Sequence, residues 1–140
     1  MLFPIQKKPI PADRLRQLGV AVLYLFGSHA EGLATSASDI DVGVLFSRNA
    51  LPLPENKTEL YNALYDVFTD VFDMSGFRDI DIVFLDRVPL ELRFDVITHG
   101  QVLFETDPDI RLDFEERVAA LYRDFMPLLN EFNRGVLQRI

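Results

Sequence analysis

The chain has 140 residues, 49% of them apolar and 26% charged, and no cysteine, which suits a domain with its own core and excludes disulfides and thiolate metal sites. Acidic residues outnumber basic ones 22 to 14, for a formal charge of −8, and the scattered lysines and arginines leave no basic stripe for long nucleic acid. The longest apolar run has seven residues, Val20 to Phe26, too short to span a membrane, and no basic-then-apolar leader is visible, so a soluble cytoplasmic protein is expected.

Pro11 in a first turn and Gly19 as a stop predict a short helix over residues 11–18. The run 20–26 reads as a buried strand that ends at Gly27-Ser28. After a brief irregular or helical piece through Glu31-Gly32, a second strand is expected over about 39–46. Pro52 and Pro54 lie in a loop that leads to a helix over about 54–74, with Leu60, Leu64, Val67, Phe68 and Val71 at helical spacing and Gly76 as its end.

A third strand is expected over 80–85, a helix from Pro89 to His99-Gly100, and a fourth strand over 101–104. From Asp109, the residues Ile110, Phe114, Val118, Leu121 and Phe125 mark another amphipathic helix. Pro127 removes a backbone donor there and predicts a kink or break before Phe132. The order implies an α/β (α+β) fold, a small mixed sheet of about four strands flanked by helices. One domain is expected over 1–140, with a core over about 11–105 and a helical tail over about 108–140.

The chemistry concentrates around the second strand. Asp39 and Asp41 stand two apart at its start, so their carboxylates share a face. In so apolar a setting, unpaired carboxylates are costly. Gly27 lets the chain turn sharply toward a phosphate, and Ser28 adds a hydroxyl and an N–H. Hard oxygen ligands facing such a turn suit a Mg²⁺-bound nucleoside triphosphate. A third carboxylate is expected from strand three, where Asp81 lies inside an apolar run and Asp79 sits at its mouth as a solvated or turn residue.

Gly27-Ser28, with Ala30 and Gly32 after it, then Ser38 and Asp39-Ile40-Asp41, then Asp81 on a later strand, resembles the polymerase-beta-like nucleotidyltransferase superfamily. Its minimal branch, the MNT proteins, is the most similar. The segment 80–83, Pro89-Leu90 and Gly100 to Phe104 also resemble that branch, so the likeness covers roughly Val20 to Glu105. His29 fills the variable position of the opening. The resemblance implies two Mg²⁺ ions held by Asp39, Asp41 and Asp81, ATP as substrate, and Gly27 and Ser28 binding the nucleotide. It also implies a HEPN-type toxin partner, with this protein as the antitoxin that adenylylates a partner tyrosine. Two alternatives are transfer to a small-molecule acceptor and a non-catalytic nucleotide-binding antitoxin that acts by occlusion.

Other residues are read more plainly. His29 could touch phosphate or be exposed, and His99 suits a helix C-terminus. Arg87 and Arg93 have Asp86 and Glu91 nearby for surface pairing. Tyr61, Tyr65, Phe68 and Phe72 read as core or an interface edge. The helices after Pro54 and Asp109 carry more apolar residues than one small sheet needs. Exposure of Tyr61, Phe72, Tyr122 and Phe132 is therefore expected, as a surface for a helical partner or a second copy.

Overall fold

The structure, a computed structural model, describes residues 4–47, 57–76 and 78–138. Chain order is α1 (Ala12–Gln17), β1 (Val20–Phe26), α2 (Ser28–Glu31), β2 (Ile40–Phe46), α3 (Lys57–Val71), β3 (Ile80–Phe84), α4 (Leu90–His99), β4 (Gln101–Glu105) and α5 (Pro108–Gln138). The strands form one mixed sheet in the order β3-β2-β1-β4. β1 runs antiparallel to β2 and β4, while β2 and β3 run parallel.

Every residue of β1 is buried, because this central strand is covered on both faces, and its sequence is accordingly apolar without alternation. On one face Leu23, Leu25, Ile40, Val42, Val44, Ile80 and Ile82 pack with Leu15 of α1 and Leu60, Leu64 and Phe68 of α3. On the other, Val22, Tyr24, Phe26 and Leu45 pack with Val96 of α4 and Phe114 and Val118 of α5. A four-stranded mixed sheet between helices is the expected fold class.

One helix boundary differs from expectation. α3 stops at Val71 and does not run on toward Gly76, because the N-terminal segment takes its last carbonyl and pairs with the chain that follows it. Lys7 N–H donates to the Val71 carbonyl at 2.7 Å and Asp73 N–H to the Ile5 carbonyl at 2.8 Å, while Phe72 pairs with Gln6 in a short bridge. Residues 54–56, also expected in this helix, lie outside the described residues. α5 is continuous through Pro127 without a break; the Arg123 carbonyl that Pro127 cannot bond lies in an exposed stretch, where water can meet it.

The aromatic residues also settle differently. Phe72 is fully buried, since it leaves the helix and folds under it beside Phe68. Tyr61 lies edge-on to Phe84, and Tyr122 stacks flat on Phe94 with centroids 3.7 Å apart. Of the four expected on the surface, only Phe132 is plainly exposed. The exposed large apolar residues of α5 are instead Leu112, Leu121, Phe125, Leu128 and Phe132.

One polar network fastens α5 to the sheet. The buried Tyr24 hydroxyl donates to Glu115 at 2.9 Å, and Arg111 bridges Glu115 to Glu105 on β4. Burial first, then the Glu115 hydrogen bond, raises the Tyr24 phenol well above the ordinary tyrosine range. Among the described residues, no helix is long and apolar enough to cross a membrane.

Candidate active site

β1 delivers the turn. After Phe26 the chain reverses at Gly27, whose φ of 70° and ψ of −154° are open in practice only to glycine. The Gly27 carbonyl accepts the N–H groups of Ala30 and Glu31, which starts the single turn of α2 at Ser28. Gln101, at the start of β4, donates from Nε2 to the Ala30 carbonyl at 2.6 Å and holds α2 against the sheet edge.

β2 and β3 deliver the carboxylates. Antiparallel pairing sets Asp41 opposite Phe26, the residue before Gly27. Parallel pairing sets Asp41 directly beside Asp81, about 4.8 Å away across the sheet. Asp41 is half-buried and Asp81 exposed, both on the α4/α5 side. Asp41 reaches so far over the turn that a Cβ on Gly27 would stand 2.2 Å from its Oδ2. Asp39 falls one residue before β2, exposed, and its Oδ1 accepts the Asp79 N–H at 2.9 Å.

Electrostatics match this crowding. The Asp41 carboxyl is held above the usual carboxylate range, first by burial, then by Asp81 and Asp39, with only His29 opposing. Among the described residues, no three acidic or histidine side chains converge as a ready-made cation cage; Asp39 commits one oxygen to Asp79, and Asp81 points into solvent. Asp39, Asp41 and Asp81 nevertheless bring carboxylate oxygens, the hard donors that divalent cations favour, to one end of the sheet.

Asp79 lies exposed at the mouth of β3, as expected, and its carboxylate is also engaged in hydrogen bonds. It accepts the Tyr65 hydroxyl at 2.6 Å and the Ile80 N–H at 2.8 Å, and the Tyr65 bond, then the Ile80 bond, lowers its carboxyl below the usual range. Its N–H fixes Asp39, so it is tied to the site through its backbone. His29 Nε2 lies 3.0 Å from the Ser38 carbonyl, one residue before Asp39. Only the variable position of His29 in the Gly-Ser opening hinted at it in the sequence; the Tyr65–Asp79 contact had no such signal.

The other candidates lie elsewhere. Asp81 is the second residue of β3 and Arg87 follows its far end, where the Arg87 N–H donates to the Phe84 carbonyl. His99 pairs with Asp95 at 3.1 Å in the last turn of α4. A groove lined by Leu45, Ser47, Asp113 and Arg117 sits at the opposite end of β2 from Asp41 and shares no residue with the carboxylate cluster.

Residues 13–109 match the family described as Polymerase beta, Nucleotidyltransferase. Three solved structures are similar over most of their length. A toxin–antitoxin complex with AMP-PNP is 23% identical, with 91% of this chain and 98% of that one covered and a TM-score of 0.64. A mutant MntA-HpeT toxin–antitoxin is 26% identical, with 89% and 93% covered and a TM-score of 0.63. The third, a tri-AMPylated Shewanella oneidensis HEPN toxin in complex with its MNT antitoxin, is 24% identical, with 89% and 91% covered and a TM-score of 0.60. One curated relative, "Ribosomal RNA small subunit methyltransferase H" of Renibacterium salmoninarum, is 30% identical over 96 residues. This chain spans 29% of that protein's length.

Proposed function

This chain belongs to the polymerase beta nucleotidyltransferase family, and from that premise we propose that it transfers AMP from ATP to a hydroxyl of a HEPN-type toxin partner, a tyrosine, and so acts as its antitoxin. The observation that carries the reading is the Asp41 carboxylate, set beside Asp81 by strand register and laid over Gly27. Acid and turn are thus in contact before any ligand arrives. The toxin–antitoxin complexes that share this fold, one of them with a tri-AMPylated HEPN toxin, support this partner class.

Asp39, Asp41 and Asp81 would hold Mg²⁺, which supplies charge neutralisation and Lewis acidity to the triphosphate when bound. The Gly27-Ser28 turn holds the terminal phosphates with its N–H groups and the Ser28 hydroxyl. Asp81, the more exposed carboxylate of the adjacent pair, takes the proton of the acceptor hydroxyl. The acceptor oxygen then bonds to the α-phosphorus, the bond to the β-phosphate oxygen breaks, and pyrophosphate leaves. Rate enhancement comes from holding the reacting groups in place and offsetting charge, without a covalent enzyme intermediate.

Incubation with ATP, Mg²⁺ and the product of the neighbouring gene tests this directly. The partner should gain about 329 Da per transfer, the mass of one adenylyl group. Label on a small molecule with an unmodified partner would overturn the antitoxin reading and keep the transferase. Neutralisation of the toxin with no transfer at all would favour occlusion.

A further inference from the structure

The segment between α2 and β2 is neither helix nor strand, yet it sets where Asp39 stands. It is closed on itself at residues 35–38: Ser38 N–H donates to the Thr35 carbonyl at 3.2 Å, and Thr35 N–H to Ser38 Oγ at 2.9 Å. Two side chains then grip its carbonyls from opposite sides. Arg78, beside β3, donates to the Ser36 carbonyl at 3.0 Å and to the Asp73 carbonyl at 3.1 Å. His29, on α2, faces the Ser38 carbonyl at 3.0 Å. A carbonyl oxygen only accepts, so Nε2 is the nitrogen that carries the proton.

His29 is the more informative grip, because of what it joins. It follows Ser28 directly, and Ser38 precedes Asp39 directly. One half-buried imidazole therefore links the turn proposed to hold phosphate to the residue that starts the acidic pair. The opposite side of Asp39 is fixed by the Asp79 N–H at 2.9 Å, and Ile40 N–H donates to the Asp79 carbonyl at 2.8 Å. Without His29, Asp39 keeps its tie to β3 and loses its tie to the turn.

We infer that His29 is a positioning residue: through its Nε2–H bond to the Ser38 carbonyl it sets Asp39 at a fixed place relative to the Gly27-Ser28 turn, and so shapes the site for a divalent cation. This rests on the metal-dependent reading above. The contact is to a ligand's neighbour, the arrangement in which outer partners tune metal affinity. Ser38 is not fully buried, so water can meet its carbonyl once the imidazole is gone.

The test uses the full chain, Mn²⁺ alone as probe, and electron paramagnetic resonance of the unbound ion. His29→Gln can place an amide N–H where Nε2 stands; His29→Ala cannot. His29→Ala should bind Mn²⁺ about 10-fold more weakly than wild type or worse, and His29→Gln should stay close to wild type. Hydrogen exchange should quicken in the peptide covering residues 35–39 in His29→Ala alone. Equal Mn²⁺ affinity in wild type and His29→Ala would overturn the inference, as would His29→Gln failing as badly as His29→Ala. If His29→Ala does not fold, His29→Asn, too short to reach Ser38, takes its place with the same expected and overturning results. Wild-type protein that takes up no Mn²⁺ would remove the metal reading and this inference together, a failure distinct from one in which only the variant is unchanged.

Discussion

Gly27 and Asp41 occupy the same space to within a methyl group: a Cβ on the one would meet Oδ2 of the other at 2.2 Å. The glycine that turns the chain is also the surface on which a half-buried carboxylate rests. Turn and acid are one unit, 14 residues apart in sequence and joined by the pairing of Phe26 with Asp41.

Gly27→Ala should therefore do two things at once. Its φ of 70° and ψ of −154° strain any residue with a Cβ, at a cost of about 1–3 kcal/mol. The new methyl also expels the Asp41 carboxylate from its position. Chemical denaturation should show the loss of stability, and nucleotide transfer should fall below detection. A variant with wild-type turnover would show that Asp41 works from some other position.

Asp41→Asn should separate stability from activity. Burial, Asp81 and Asp39 raise the Asp41 carboxyl above its unfolded value, so between the two values the folded state holds more protons than the unfolded one. Stability contributed by this group is present at low pH and lost as pH rises through the raised carboxyl value. At pH 7.5 the apo Asn variant should melt no lower than wild type, and the gap should close toward pH 4. Added Mg²⁺ should raise the melting temperature of wild type only, while transfer falls by orders of magnitude in the variant. A variant that melts lower at pH 7.5 would show that the carboxylate is favourably paired in the apo protein.

Much of this site could be read along the chain, because its parts are local patterns. The seven buried residues of β1, the Gly-Ser turn and the spacing of Asp39 and Asp41 are visible without any partner. The register that sets Asp41 beside Asp81 is not, since pairing of parallel strands 40 residues apart depends on what packs around them. Helical spacing likewise marked α3 and α5 as amphipathic, but periodicity names an apolar face without naming its cover. Phe72, which fits both a core or interface-edge reading and an apolar surface, lies in the core. The Tyr24–Glu115 bond, spanning 91 positions, and the grip of His29 on Ser38 left no trace in composition or period.

The two strand-three aspartates should part cleanly. Asp81→Ala should leave the fold intact and remove turnover by orders of magnitude, with ATP binding weakened, not absent, because Asp39 and Asp41 remain. Asp79→Ala removes an acceptor shared by Tyr65 and Ile80, so a lower melting temperature is expected, with activity reduced through the displaced Asp39. Tyr65→Phe should reproduce part of that melting loss. Full turnover in Asp81→Ala would move the third carboxylate role to Asp79.

Tyr24→Phe probes how α5 is fastened. The hydroxyl is buried and bonded to Glu115, and its loss should cost about 1–2 kcal/mol. Glu115 keeps Arg111, which limits the damage. Because burial and the Glu115 bond hold the Tyr24 phenol well above the ordinary tyrosine range, an alkaline absorbance titration of the wild type should leave this phenol protonated past that range. The Phe variant should lack that late step. A late step that persists would assign it to another tyrosine.

The last prediction concerns the half of α5 beyond the sheet. The helix runs 31 residues, about 46 Å, but its buried anchors, Phe114 and Val118, lie in the first half, followed by Tyr122 stacked on Phe94. On the exposed side Leu121, Phe125, Leu128 and Phe132 recur at intervals of four, three and four, each more than half exposed, the stripe with which one helix packs on another. The occupant proposed for it is the helical toxin that would present its tyrosine to the Asp41 site. Phe125→Gln, Leu128→Gln and Phe132→Gln together should leave the melting temperature within about 2 °C of wild type, since exposed side chains contribute little to the fold. Co-purification with the partner should be lost, and with it adenylylation of the partner at low concentration, while metal binding by the isolated protein is unchanged. A triple variant that still captures and modifies the partner would place the docking surface elsewhere.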